Sequence, residues 1–136
     1  MATLDEVCEQ LLKDVNDALG AAVVDLGSGL LLSVAHNVPY FTQSYLDAVA
    51  AAAVDMFRGG NVSTVEDMLT SQRGRETRHM IKEVQMTTEG TYHFMATVPG
   101  KENSLLVVIT GKKTNLGMGW AAVRGALPKI APMCPG

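Results

Sequence analysis

Tyr45-Leu-Asp-Ala-Val-Ala-Ala-Ala-Ala-Val-Asp-Met-Phe57 reads as a helix with more apolar circumference than one core can cover. At about 100° per residue, Leu46, Ala50, Ala53, Val54 and Phe57 share one arc. Tyr45, Ala48, Val49, Ala52 and Met56 form a second apolar arc beside it. Only Ser44, Asp47, Ala51, Asp55 and Arg58 are left for water. The combined apolar arc is about 240° wide, against roughly 100° or more for an ordinary surface helix. Strand-like segments flank the helix in the chain, which places its first arc on a sheet. The second arc calls for another surface. Small residues at 48 and 52 let a second helix approach closely, and Tyr45, Val49 and Met56 supply contact area. A two-fold dimer in which each helix meets its copy is the simplest cover. The competing reading stays within the chain. Alanine is the best helix former, and a neighbouring segment carrying Val65, Met68 and Leu69 could cover the arc instead.

Working outward, Leu4, Val7, Cys8, Leu11, Leu12, Val15 and Leu19 repeat at the helical period and predict a first helix over 3–19. Thr3 with Glu6 is a capping-box pattern, and Gly20 is the expected stop. Ala21 to Leu26 and Leu30 to Ala35 read as a hairpin around Asp25-Leu-Gly-Ser-Gly29. The alanine-rich helix starts near Thr42 and stops at Gly59-Gly60. Ser63-Thr-Val-Glu66 is a second capping-box pattern and predicts a short helix from Thr64 to about Ser71, closed by Gly74. Arg75 to Thr87 reads as a strand with Met80, Val84 and Met86 on one side. Thr91 to Val98 returns after the turn Thr88-Glu-Gly90, with Tyr92, Phe94, Ala96 and Val98 on one face. Leu105-Leu-Val-Val-Ile109 is apolar throughout, as in a strand covered on both faces. The last helix is expected over Asn115 to Leu127, with Pro128 opposing continuation. Tight turns between strands indicate an antiparallel five-stranded sheet flanked by helices, an α+β fold. The chain reads as a single domain over 1–136, with its core at 4–127 and a tail at 128–136 that holds Cys134.

Composition narrows the function. Apolar residues make up 47% and charged residues 18%, a globular balance far from disorder. The net charge is -3 and no basic stripe is present, so nucleic acid is not an expected partner. No apolar run reaches the roughly 18 residues a membrane span needs. The N-terminus, Met-Ala-Thr-Leu-Asp-Glu, lacks the pattern of a signal peptide. The cytoplasm is the expected compartment. Two distant cysteines make no disulfide framework, and Cys8 on the first apolar stripe reads as a buried small residue.

A search for chemistry finds little. His36, His79 and His93 stand in or beside separate strands, with no Cys or His at metal-ligand spacing. Gly27-Ser28-Gly29 is a turn rather than a nucleophile elbow, and Gly111-Lys-Lys113 lacks the glycine spacing of a phosphate loop. No catalytic residue, metal site or cofactor is expected, and the chain does not read as an enzyme. One cluster invites a partner: Arg73, Arg75, Arg78, His79 and Lys82 could meet an acidic surface, or could simply be solvated charges guarding an edge strand.

The order of elements and several local patterns resemble the roadblock/dynein light chain family. The matching pieces are the amphipathic helix before Gly20, Ala22-Val-Val-Asp25 with its Gly-Ser-Gly turn and the alanine-rich helix. Leu105-Leu-Val-Val-Ile109 followed by Thr114-Asn-Leu-Gly-Met118 matches as well. The resemblance covers roughly 4–127, and the segment 63–74 departs from the shortest members. It implies a profilin-like sheet and a homodimer in which middle helices pair and the sheets join. It also implies a role as scaffold or regulator of a Ras-like small GTPase, as in the bacterial partner that stimulates the polarity GTPase of gliding motility. On this reading the dimer interface is Tyr45, Ala48, Val49, Ala52 and Met56, and Arg73, Arg75, Arg78 and Lys82 are possible partner contacts. The alternative is a small-molecule sensor with a pocket between sheet and helices.

Overall fold

The computed structural model describes residues 3–136. Met1 and Ala2, the start of the N-terminal segment read above, lie outside them. A five-stranded antiparallel sheet in the order β2-β1-β5-β4-β3 separates two helical layers. The elements run α1 (Leu4–Asp14), β1 (Ala18–Asp25), β2 (Leu31–His36), α2 (Gln43–Arg58), α3 (Gly60–Arg73), β3 (Glu83–Thr87), β4 (Thr91–Val98), β5 (Lys101–Gly111) and α4 (Leu116–Ile130), then a 3-10 turn (Ala131–Met133). The expected α+β, profilin-like architecture is the one observed.

Central strand β5 decides the layering. Its residues from Ser104 to Thr110 are all buried. Leu106 and Val108 join Ala21, Val23, Phe94, Ala96 and Val98 in a core shared with α1 and α4. Leu105, Val107 and Ile109 join Val24, Met95 and the α2 residues Leu46, Ala50, Ala53 and Phe57 in the other. A strand alternates its side chains between faces, so an unbroken apolar run needs cover on both.

Five expectations of the sequence are corrected. The first helix stops at Asp14 rather than Leu19, and Leu19 and Gly20 belong to β1. Tertiary bonds win over the helical period here. Asp17 turns at φ 62, Thr114 Oγ1 donates to the Asn16 carbonyl at 2.6 Å, and Asn16 Nδ2 donates to the Lys113 carbonyl at 3.3 Å. Ala18 is then free to pair with Thr110. The inserted helix starts at Gly60, so Ser63 is not its cap, and Glu66 lies in its interior. The strand expected from Arg75 is regular only over Glu83–Thr87, because the Thr77 and Met80 N–H groups bond to Thr70 and Glu66 of α3, and pairing with β4 begins only where the Lys82 carbonyl accepts from Thr97 N–H. The last helix runs through Pro128 to Ile130. Proline in a final turn forgoes few helical bonds, and continuation buries Ile130 completely. Cys134 is buried in the same core, so the segment read as a tail carries core contacts.

Thr3 caps α1 as read, and the helix starts read near Thr42 and Asn115 prove to be capped by those residues. Thr3 Oγ1 accepts from Glu6 N–H, Thr42 Oγ1 from Tyr45 N–H, and Asn115 Oδ1 from Met118 N–H. Gly119 has a steric reason to be glycine. A Cβ there would stand 2.6 Å from Phe94 Cζ, and Phe94 packs edge-on against Trp120 at 5.3 Å. Gly119→Ala should therefore destabilise the fold by about 1–3 kcal/mol, as overpacking does, although alanine is the better helix former. Urea unfolding measures it, and a neutral or stabilising effect would contradict this packing.

Candidate functional site

The outer face of α2 is the first candidate. Leu46, Ala50, Ala53 and Phe57 are buried on the sheet, as the helical arc predicts. The second arc is not covered in this chain. Ala48 and Ala52 are exposed, Tyr45 is 38% exposed, and Val49 and Met56 are half-buried. The segment that might have covered them does not, because its own Val65 and Met68 are 51% and 57% exposed. Tyr45 anchors one end of the arc by stacking on Phe41 at 4.8 Å. Phe41 also meets His36 and Tyr40, which makes an aromatic cluster at the start of α2.

Helix α3 is built the wrong way round for a solvent helix. It buries Glu66, only 3% exposed, and turns Val65 and Met68 outward. One Glu66 oxygen accepts the Met80 N–H at 2.8 Å. The charge of Glu66 also acts on the Arg58 guanidinium through space. Burial pushes the Arg58 pKa below its ordinary value, and the charges of Glu66 and Glu102 oppose that shift. Arg58 Nη2 donates to the Glu102 carbonyl at 2.6 Å, while the buried Nη1 finds no hydrogen-bond partner among the described residues. The segment 74–82 is thereby pinned over the junction of α2 and α3. Sequence reading took Glu66 for a cap residue. The available signal was that Val62, Glu66 and Leu69 share one helical arc.

The basic cluster is spread over the same junction. Arg73 ends α3, and Arg75, Arg78 and Lys82 lie in the irregular segment before β3, not on an edge strand. Arg78 is tied to Asp67 at 2.8 Å and to Glu76 at 3.7 Å. Arg73, Arg75 and Lys82 are exposed. His79, at φ 52, meets Glu102 at 3.1 Å. The Glu102 carboxyl is held below its ordinary pKa, first by that hydrogen bond and then by the Lys82 charge.

The histidines are not brought together as a site. His36 Nδ1 accepts from Val38 N–H, and His93 pairs with Thr91 while burial pushes its pKa down. Among the described residues, no three His, Cys, Asp or Glu side chains are grouped to hold a metal ion. No helix among them is long and apolar enough to cross a membrane. The free thiol of Cys8 is buried, and burial raises its pKa. The space between α2 and the sheet is about 20 Å³, far below the several hundred Å³ of a small-molecule site. A larger hollow of about 390 Å³ is an open groove between α1 and α4 on the other face.

Removing the buried carboxylate tests the junction. Glu66→Ala should cost about 1–3 kcal/mol, since it leaves Met80 N–H and Arg58 less satisfied. Amide exchange should rise first across 74–82. Unchanged stability and exchange would mean that Glu66 pins nothing.

Three solved structures are similar along nearly the whole chain. The roadblock/LC7 domain from Streptomyces avermitilis is 18% identical with a TM-score of 0.71, covering 96% of this chain and 97% of that one. The gliding protein MglB from Thermus thermophilus is 19% identical with a TM-score of 0.70, covering 95% and 86%. An MglB in a tetrameric arrangement is 19% identical with a TM-score of 0.70, covering 95% and 85%. No family model matches the sequence, and no curated protein matches it. At these identities the likeness is one of architecture, and this chain has the roadblock/LC7 fold.

Proposed function

We propose that this protein is a homodimeric adaptor that binds a Ras-like small GTPase in the cytoplasm and modulates its nucleotide cycle, with no reaction centre of its own. One observation carries the reading: the apolar outer arc of α2 stays open, with Ala48 and Ala52 exposed and nothing of the chain laid over them. An apolar helix face of this kind is buried most simply by its own copy, around a two-fold axis. The tetrameric arrangement of an MglB with the same fold supports assembly from copies. The GTPase rests on the sequence resemblance to roadblock proteins and on the likeness to a gliding protein. Tyr45, Ala48, Val49, Ala52 and Met56 form the dimer face in this reading.

Ala52→Arg tests the dimer. The residue points outward, so the monomer should fold as before. In the dimer the arginine would be buried without a partner, at a cost of several kcal/mol, about 3–5. The dissociation constant should rise at least about a hundredfold, which is about 2.7 kcal/mol. Sedimentation across a concentration series reads the result. Wild-type and variant masses that coincide would remove α2 from the interface.

The GTPase contact is assigned to the free cations Arg73, Arg75 and Lys82, with Arg78 held back by Asp67. Reversing two of them, Arg73→Glu with Arg75→Glu, should weaken capture of a Ras-like GTPase about tenfold or more at low salt. The dimer mass should not change. Equal capture by both proteins would place the contact elsewhere.

A further inference from the structure

The groove between α1 and α4 has no task in the fold or in the dimer proposed above. It lies on the face of the sheet opposite α2. Val7 and Leu11 of α1 and Ala122 and Ala126 of α4 make its floor, and the exposed Ala121 and Gly125 make the α4 lip. Past Asp14 it runs on into a second hollow of about 230 Å³ that reaches Met118, which is 74% exposed. From Lys129 to Met118 the groove measures about 16 Å, or about three turns of a helix.

Gly125 keeps this valley open. Gly119 is fixed by Phe94, but beyond its own helix a Cβ at Gly125 would meet nothing among the described residues within 4 Å. Glycine weakens a helix interior, so nothing within this chain favours it over alanine there. Small residues on a helix face let another helix lie close. The two walls also differ in charge. Glu6 and Asp14 stand on the α1 wall with Gln10 between them, and Lys129 stands on the α4 wall. Lys113 stands at the Met118 end. Arg124 of α4 is drawn away to Glu83 at 2.7 Å.

We propose that this groove docks an amphipathic helix of a second protein. Its large apolar side chains lie on the Ala and Gly floor, its Lys or Arg flank runs along α1, and an acidic flank faces Lys129 and Lys113. A helix in a groove is held by apolar anchors at i, i+3 or i+4, and i+7, and three turns take one such set. The unlike charges of the two walls decide which way round the helix lies. A small molecule does not suit an open valley, because small-molecule sites enclose most of their ligand. A second copy does not suit it either, since no helix among the described residues carries more than two Lys or Arg. The groove is separate from the outer arc of α2 and from the cations of 73–82, and it stands or falls without them.

The probe is a synthetic helix of about four turns, with Leu on one face, Lys along one flank and Glu along the other. Fluorescence anisotropy should give a micromolar dissociation constant, and the amide shifts the peptide causes should centre on Val7, Ala122 and Gly125. A scrambled peptide of the same composition should bind at least about tenfold more weakly, the worth of one well-packed anchor. Gly125→Leu fills the floor with a better helix former, so it should weaken binding at least about tenfold while the melting temperature holds or rises. Glu6→Gln with Asp14→Asn should weaken binding about three- to tenfold at low salt and less at high salt. No binding, equal binding by the scrambled peptide, unchanged affinity in Gly125→Leu, or shifts centred on Ala48 and Ala52 of α2 would overturn the proposal. So would self-association that Gly125→Leu abolishes, which would give the groove to a second copy.

Discussion

A central strand that is apolar on both sides must be roofed on both sides, and most of this molecule follows from that need. Leu106 and Val108 of β5 find two helices, α1 and α4, which divide their face of the sheet. Leu105, Val107 and Ile109 find mainly α2. That single helix approaches the sheet through Ala50 and Ala53, with Leu46 and Phe57 filling the ends. Small residues at the point of contact let a helix lie close, and the large ones close the flanks. The contact accounts for one arc of α2 and leaves Ala48 and Ala52 open to water, while Tyr45 stacks on Phe41 and Met56 only partly packs against the core. Apolar area left in water is stabilisation forgone, at about 25 cal/mol per Å².

The inserted helix sharpens the point. An amphipathic helix normally turns its carboxylates to water and its Val and Met inward. Helix α3 reverses this at Glu66, because the carboxylate has two tasks inside: it receives Met80 N–H and balances Arg58. A buried carboxylate is tolerable only with such partners. The helix thus acts as a clamp for residues 74–82, and its outward Val65 and Met68 are available to neither core.

How much of this could be read in the sequence depended on which interactions were local. The arc of α2, the cap at Thr3, the helix starts near Thr42 and Asn115, the Asp25 to Gly29 turn and the alternation along β4 are properties of neighbours in the chain, and each was legible. The end of α1 was not. Val15 and Leu19 fit the helical period, and only Thr114 and Lys113, nearly a hundred residues away, pull Asn16 into a turn. Arg75 to Lys82 looked like strand because it leads into Met80, Val84 and Met86, which share one side of an extended chain. Its Thr77 and Met80 N–H groups are in fact claimed by Thr70 and Glu66 on α3. Pro128 signalled a stop that the burial of Ile130 overrides. Of the candidate surface, the residues of the α2 arc were found from periodicity. The buried Glu66 and the aromatic cluster around Phe41 needed the folded chain.

The strand order turns these local outcomes into a molecule with two unlike flanks. In β2-β1-β5-β4-β3 the first hairpin and the last-inserted strand stand at opposite ends. The β3 flank gathers the charged contacts, with Glu83 and Arg124, and Asp67 and Arg78, as ion pairs and Glu102 hydrogen-bonded to His79. Exposed pairs of this kind add little stability, about 0–1 kcal/mol each, so their concentration there is better understood as keeping that flank wet. The β2 flank carries Leu30, Tyr40 and the Phe41 and Tyr45 stack instead. Charged residues make up only 18% of the chain. Its ion pairs stand beside α3 and β3, and the side where α2 begins is left apolar.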